Sequence, residues 1–123
     1  MKFEKAMVRG FSMVPALGDR DKVLIRPGAS YKVGDVIVFR HQDRFDIKRV
    51  QSISDEGVFV VGDNEVASLD SRKFGHINPT DVVGKAVFRV EPQWGFIPKK
   101  GEIPKKRRRR REKRRFRFWK RRR

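Results

Sequence analysis

The chain has 123 residues, which is enough for one ordinary domain and too few for two. It has no cysteine, which excludes disulfides, a thiol nucleophile and cysteine-based metal sites, and its two histidines, His41 and His76, are too few for a histidine-rich metal cluster. The formal net charge is +17, but residues 99–123 hold 17 Lys and Arg against two acids, which leaves only +2 for residues 1–98. The composition therefore predicts a nearly neutral domain with a basic appendage, and no metal or cofactor.

The first notable segment is residues 8–17, VRGFSMVPAL, which places Ser12 between a glycine turn and a Met-x-Pro bend. The simplest interpretation of a serine in this setting is a turn residue that hydrogen-bonds its own backbone. The alternative is a nucleophile, and the segments that follow have to decide between the two.

From residue 22 to residue 90, short β-rich runs alternate with turn signals. Strands of this length and spacing, with no convincing amphipathic helix, predict a mainly β domain with an antiparallel, coiled-sheet or barrel-like core over residues 1–92. The predicted strands cover residues 22–25, 35–39, 45–53, 58–61 and 82–90.

After residue 92 the β pattern stops. Residues 93–104 are rich in glycine and proline, which predicts a linker, and residues 105–123 are an Arg/Lys-rich tail with embedded Phe116, Phe118 and Trp119. Because like charges repel, we expect the tail to be disordered in isolation. Three interpretations stay open: contact with an anionic membrane, contact with nucleic acid, or a solubilising tail without a partner.

The second segment with chemical potential is residues 45–50, FDIKRV. In a strand, Lys48 shares a face with Asp46 and Val50. A lysine among apolar neighbours usually buries its stem and keeps its amine in water. The sharper interpretation is a desolvated lysine that is neutral near pH 7 and acts as a base, with Ser12 as the group that it deprotonates.

The third segment is the long polar loop over residues 62–75, GDNEVASLDSRKFG. It has a simple interpretation as a solvated loop built from turn formers. That interpretation does not explain why a hydroxyl, a carboxylate and a guanidinium alternate at Ser68, Asp70 and Arg72. We expect Asp70 and Arg72 to pair and fix the loop while Ser68 points inward and supports a buried amine.

Together the three segments resemble the signal peptidase I family of serine-lysine peptidases, in the family's order and over roughly residues 5–92. Residues 10–15, GFSMVP, look like the nucleophile box, and residues 46–50, DIKRV, like the base box. Residues 62–72 look like the last box of that family. One box alone would be weak support, but three in order make the simpler interpretations jointly improbable.

The resemblance implies that Ser12 is the nucleophile and Lys48 the general base. It also implies that Ser68 helps to orient the amine, that Asp70 and Arg72 hold the loop, and that the Ser12 N–H donates to the oxyanion. An amine can serve as the base only if it is unprotonated near neutral pH, which requires burial and no nearby carboxylate. A histidine is then unnecessary.

Three positions depart from the family pattern. Gly10 stands where many members have a serine or threonine that supplies a second oxyanion donor, Ala16 replaces a small hydroxyl residue, and Arg20 replaces the glycine before Asp21. Loss of one oxyanion donor costs about 10²–10³ in rate, so we expect a modest activity or a different donor.

The resemblance implies a serine endopeptidase that removes an N-terminal signal peptide or propeptide from a protein. No apolar run approaches the ~20 residues of a membrane span, so we expect a cytoplasmic or peripherally membrane-associated protein. The chain looks most like the compact, anchorless relatives, which favours the propeptide of nickel-type superoxide dismutase as substrate. The alternatives are a general signal peptidase held at the membrane by residues 105–123, and a non-catalytic β module that binds nucleic acid through them.

Overall fold

The computed structural model describes residues 2–100 and residue 102, so the predicted tail over residues 105–123 lies outside the described residues. Within the described part the fold is one seven-stranded antiparallel sheet in the order β1-β2-β6-β3-β4-β5, with β7 paired to β6, which confirms the predicted antiparallel β domain. The strands are β1 Glu4–Met7, β2 Lys22–Pro27, β3 Val36–His41, β4 Arg44–Ser54, β5 Gly57–Val61, β6 Val82–Glu91 and β7 Gly95–Phe96.

Helical structure is confined to short segments between strands. One turn of α-helix, α1, covers Ser71–Phe74, and 3₁₀ turns cover Glu65–Ala67 and Pro79–Asp81. No helix among the described residues has the length and apolar character that crossing a membrane requires.

Strand β3 lies at the centre of the sheet and is buried on both faces. Its first four residues, VIVF, form a continuous apolar run, which is the pattern of a strand covered on both sides. Val36 and Val38 belong to one buried cluster, and Ile37 and Phe39 belong to the other. The further members are Val8, Met13, Leu17, Val23, Ile25 and Ala86 in the first cluster, and Val50, Val58, Val60 and Ile77 in the second.

The connection from β1 to β2, which carries Ser12, is held in place by its apolar residues. Met13, Ala16 and Leu17 have no solvent exposure, and Met13 and Leu17 belong to the first buried cluster. Its two ends are joined because the Val8 N–H donates to the Asp21 carbonyl oxygen at 2.8 Å. The loop is therefore fixed on both sides of the serine.

The segment predicted as a linker contributes to the fold. Within residues 93–104, Gly95–Phe96 form β7 on the edge of β6, and Phe96 lies directly opposite Phe88. The Arg49 guanidinium on β4 also donates to the Pro98 carbonyl oxygen at 2.9 Å. The packed sheet thus extends past the boundary that the composition places at residue 92, because two aromatic residues and a carbonyl find partners there.

Substitution of Phe39, the aromatic residue of the central strand β3, tests which residues form the core. Phe39 is fully buried, so Phe39→Ala is expected to lower the free energy of unfolding by about 3–5 kcal/mol through lost burial and a residual cavity. Phe45→Ala is the matched control, because that ring is 61% exposed on the neighbouring strand. Urea unfolding of both variants checks the result, and an equal loss in the two would contradict the assignment of the core.

Candidate active site

Ser12 and Lys48 meet at the floor of an open cleft. The Lys48 Nζ donates to the Ser12 Oγ across 3.0 Å, although the two residues are 36 positions apart in sequence. Ser12 is 9% exposed and Lys48 is 4% exposed. A hydroxyl and a primary amine in direct contact, both largely removed from water, are the elements of a nucleophile and its base.

The loop that follows β5 holds the backbone of the serine. The Asn64 N–H donates to the Ser12 carbonyl oxygen at 2.8 Å, and the Asn64 side-chain amide donates to the Phe11 carbonyl oxygen at 3.1 Å. Gly62 permits this approach, because a Cβ there would collide with the Ser68 side chain and lie 2.7 Å from the Ser12 carbonyl oxygen. The glycine is thus required by close packing of two loops.

The backbone N–H of Ser12 has no hydrogen-bond partner within the described residues. The N–H of Gly10 is occupied, since it donates to the Asp19 carboxylate at 2.7 Å. One backbone donor next to the hydroxyl is therefore available to an oxyanion, while the position of Gly10 offers neither a side chain nor a free N–H.

Asp70 holds the loop that follows β5 in place through several hydrogen bonds. Its carboxylate is fully buried and accepts hydrogen bonds from the Gly62 N–H at 2.8 Å, the Ser68 hydroxyl at 2.5 Å and the Arg72 guanidinium at 2.9 and 2.5 Å. It also caps α1, because it accepts from the Arg72 N–H at 3.1 Å. Through Gly62, Asp70 supports the same turn whose Asn64 binds the backbone of Ser12.

The environment of Asp70 stabilises its charged form. Burial of the carboxyl would by itself raise its pKa, but hydrogen bonds from Arg72, Ser68 and the Gly62 and Arg72 N–H groups outweigh burial and hold the pKa well below the usual range of an aspartic acid. The carboxylate therefore remains ionised wherever the protein is folded at ordinary pH.

The structure differs from the sequence expectation in two contacts of the amine. Ser68 directs its hydroxyl to Asp70, and the hydrogen bonds of the Lys48 amine go to Ser12 and to Asp46 Oδ1, the latter at 2.9 Å. The expectation that no carboxylate lies near the amine is therefore wrong. The side chains of Lys48 and Asp46 are 5% and 18% exposed, so this ion pair is largely shielded from water.

Sequence reasoning also missed a second ion pair, between Arg49 and Asp63. Arg49 follows Lys48 and faces the other side of β4, where its Nε and Nη2 donate to the two Asp63 oxygens, both at 2.8 Å. Both side chains are almost fully buried. This bidentate pair ties the strand that carries the amine to the loop that holds the serine. The available signal was that Arg49 shares a strand face with the apolar Ile47, because a guanidinium buried on such a face requires an acidic partner.

The cleft itself has a volume of about 520 Å³. Its lining combines exposed apolar side chains with two exposed arginines, Arg9 and Arg44, around Ser12, Asp46 and Lys48. The exposed apolar lining residues are Met7, Phe11, Phe45 and Leu69. An open cleft with an apolar rim accommodates an extended peptide better than a small polar molecule. In the described part of the chain, no group of three or more His, Asp or Glu side chains is placed to hold a metal ion.

Comparison with known proteins gives two matches. A family model described as Peptidase S24-like matches residues 5–87, a range that includes Ser12, Lys48 and the loop around Asp70. The chain is also similar to the probable signal peptidase I-1 of Synechocystis sp., with 31% identity over 104 residues. That alignment covers 75% of this chain and 52% of the relative, so the chain spans about half the length of the curated relative that it matches.

Replacement of the buried carboxylate tests its role in the loop. Because the pKa of Asp70 is lowered in the folded state, its contribution to stability is present in full above the ordinary aspartate pKa of 3.8 and is lost as the pH falls below that value. Asp70→Asn is expected to lower the free energy of unfolding at neutral pH by about 1–3 kcal/mol and to reduce the loss of stability in acid.

Urea unfolding of both proteins from neutral pH down through the acid range provides the measurement. Asp55→Asn, in the exposed turn between β4 and β5, is the matched control. A variant at position 70 that loses as much stability in acid as the unsubstituted protein would contradict the assignment.

Proposed function

This chain belongs to the Peptidase S24-like family, and from that membership we propose that it is a serine endopeptidase with Ser12 as nucleophile and Lys48 as general base. The family match and the signal peptidase relative confirm the resemblance to a signal peptidase-like family that the three motifs indicated. The observation that carries the proposed mechanism is the 3.0 Å contact between a buried hydroxyl and a buried primary amine in an open cleft.

The two histidines support this choice of base by their positions. The His41 ring stacks on Phe74 with a centroid separation of 4.1 Å, and the His76 ring packs against Phe59 at 5.2 Å. Neither histidine lines the cleft that contains Ser12. A Ser-His arrangement is therefore not available at this serine, and Lys48 is the basic group in contact with it.

In the proposed reaction the neutral Lys48 amine accepts the Ser12 Oγ proton as Oγ bonds to the carbonyl carbon of the scissile peptide. The Ser12 N–H donates to the resulting oxyanion. As the C–N bond breaks, the Lys48 ammonium returns the proton to the leaving amine, which yields an acyl-enzyme and the released fragment. A water molecule then attacks the carbonyl carbon of the acyl-enzyme while Lys48 accepts a proton from it. As the Oγ–C bond breaks, Lys48 returns the proton to Oγ, which regenerates the Ser12 hydroxyl and releases the second fragment with its new carboxyl group.

Asp46 adds a condition to this mechanism. A carboxylate 2.9 Å from the amine favours the ammonium form, which cannot accept a proton from Ser12. Asp46 therefore positions the amine and at the same time opposes its action as a base. The contact with Asp46 also fixes the direction of the amine, which at the same time contacts the Ser12 hydroxyl.

The proposed substrates are proteins with an N-terminal signal peptide or propeptide, in line with the name of the Synechocystis relative. The apolar rim of the cleft supports an extended peptide with apolar side chains near the scissile bond. Within this class, the propeptide of nickel-type superoxide dismutase is the first substrate to assay, followed by general signal peptides. Tethering to an anionic membrane by residues 105–123 is the alternative for delivery, and it concerns residues outside those that the structure describes.

The proposed roles of Ser12 and Lys48 are tested by substitution of each residue. Ser12→Ala and Lys48→Ala are each expected to lower peptide cleavage by at least about 10⁴-fold. Lys48→Arg is expected to fail as well, since a guanidinium does not release its proton in a protein. Turnover of a peptide with small residues before the scissile bond gives the measurement, and Ser52→Ala on the exposed end of β4 is the matched control.

The double variant His41→Ala/His76→Ala separates this mechanism from a triad. It is expected to retain most of the activity, whereas loss of a histidine base costs about 10²–10⁴ in rate. Persistent cleavage by Lys48→Arg, or its disappearance in the double histidine variant, would overturn the assignment of Lys48.

The role of Asp46 is tested by the pH dependence of cleavage. Asp46→Asn removes the charge that opposes proton acceptance by Lys48, so it is expected to change the rate of cleavage, measured across pH, by more than the control does. Asp43→Asn is the matched control, since that carboxylate lies in the exposed turn just before β4 and does not contact the amine. A profile of Asp46→Asn that coincides with that of the unsubstituted enzyme would show that the ion pair does not control the base.

A further inference from the structure

Two arginines that line the cleft have no acidic partner. Arg9 precedes Ser12 by three residues, Arg44 precedes Lys48 by four, and both arginine side chains are exposed. Neither guanidinium forms an ion pair within the part of the chain that the structure describes. Asp46, the acidic residue of the lining, binds the Lys48 amine instead. The cleft therefore presents two positive charges that no carboxylate of its own lining compensates.

Strand alternation places Arg44 on the side of β4 that carries the amine. The register of β4 against β3 is unbroken at this end, so Arg44, Asp46 and Lys48 point to the same face. At about 3.3 Å per residue, Arg44 lies roughly 13 Å along the strand from Lys48. An extended peptide in the cleft advances by a similar distance per residue. A side chain about four residues from the scissile bond can therefore reach the Arg44 guanidinium.

The direction of the strands places Arg9 and Arg44 at the same end of the cleft. Each neighbouring pair in the order β1-β2-β6-β3-β4 is antiparallel, so β1 and β4 run in the same direction. The chain leads from β1 through Arg9 to Ser12, and along β4 from Arg44 to Lys48. Both arginines therefore lie on the side from which the two segments approach the Ser12–Lys48 pair.

On the basis of the proposed peptidase function, we propose that Arg9 and Arg44 select substrates with an Asp or Glu about four residues from the scissile bond, on one side of it only. A guanidinium pairs with a carboxylate through two parallel hydrogen bonds, which makes the contact specific in geometry as well as in charge. A Lys or Arg at the same substrate position would meet two like charges, so the same residues would also discriminate against basic substrates.

The surroundings of the two arginines favour an acidic side chain of a bound peptide over a small free anion. An exposed cation gains little from a hydrated ion, because solvent screens the attraction. The apolar side chains of Met7, Phe11 and Phe45 line the same cleft and offer contacts to a peptide chain. Once these contacts hold the peptide, its carboxylate is presented to the arginines at a high effective concentration.

The first experiment compares three peptides that have small residues before the scissile bond and uncharged, capped ends. The parent has Gln at the fourth position on each side of the bond, and the other two have Glu at one of these positions. One Glu peptide, and not the other, is expected to exceed the parent in kcat/KM by about 2- to 10-fold, the range that one or two exposed ion pairs provide. Both Glu peptides have the same net charge, so attraction to the basic residues 99–123 is equal for the two. Mass spectrometry of the products identifies the bond that is cleaved.

The second experiment reverses the charge of the site in the full chain. Arg44→Glu is expected to abolish the preference for Glu and to favour a peptide with Lys at the same position, a reversal that a merely structural role of Arg44 would not produce. Arg9→Gln is expected to reduce the preference. Arg26→Gln is the matched control, because it removes one exposed positive charge near the end of β2, outside the cleft lining, and is expected to leave the preference intact.

Equal kcat/KM for the three peptides, equal gains on both sides of the bond, or a preference that survives Arg44→Glu would each overturn the proposal. Binding of the same peptides to Ser12→Ala, measured by fluorescence anisotropy with an uncharged dye, gives a readout that does not depend on cleavage. A one-sided preference for Glu in binding, without cleavage by the unsubstituted protein, would support the arginine site and contradict the peptidase proposal. Cleavage without the preference would do the reverse, and the absence of both cleavage and binding would overturn both proposals.

Discussion

A buried primary amine is the constraint on which the arrangement of this protein depends. Removing Lys48 from water is unfavourable unless partners replace the lost hydration, and the structure supplies two, the Ser12 hydroxyl at 3.0 Å and the Asp46 carboxylate at 2.9 Å. The two partners have opposite consequences. The hydroxyl is the group on which a base would act, whereas the carboxylate stabilises the protonated amine that cannot act on it.

The rest of the domain serves to keep three separate segments in contact around the Ser12–Lys48 pair. Met13 and Leu17 anchor the serine loop in the first buried cluster, and the Arg49–Asp63 pair joins the lysine strand to the loop after β5. Asp70 holds that loop in place by accepting a hydrogen bond from the Gly62 N–H. Because the Arg49–Asp63 and Asp70–Gly62 contacts are hydrogen bonds of largely buried groups, displacement of these segments would leave polar groups without partners, which makes the geometry specific.

The sequence by itself determined strands β2 to β6 and indicated the three segments that meet at the site, because apolar runs such as VIVF in β3 and turn glycines are local signals. It also placed Asp46 on the face of Lys48, but strand alternation leaves the side-chain rotamers open. Only the tertiary structure decided that Asp46 contacts the amine, that the Ser68 hydroxyl binds Asp70, and that Gly95–Phe96 extend the sheet. The physical reason is that each of these groups can form its hydrogen bonds with several different partners. Distant segments bring those partners within reach only when the chain has folded.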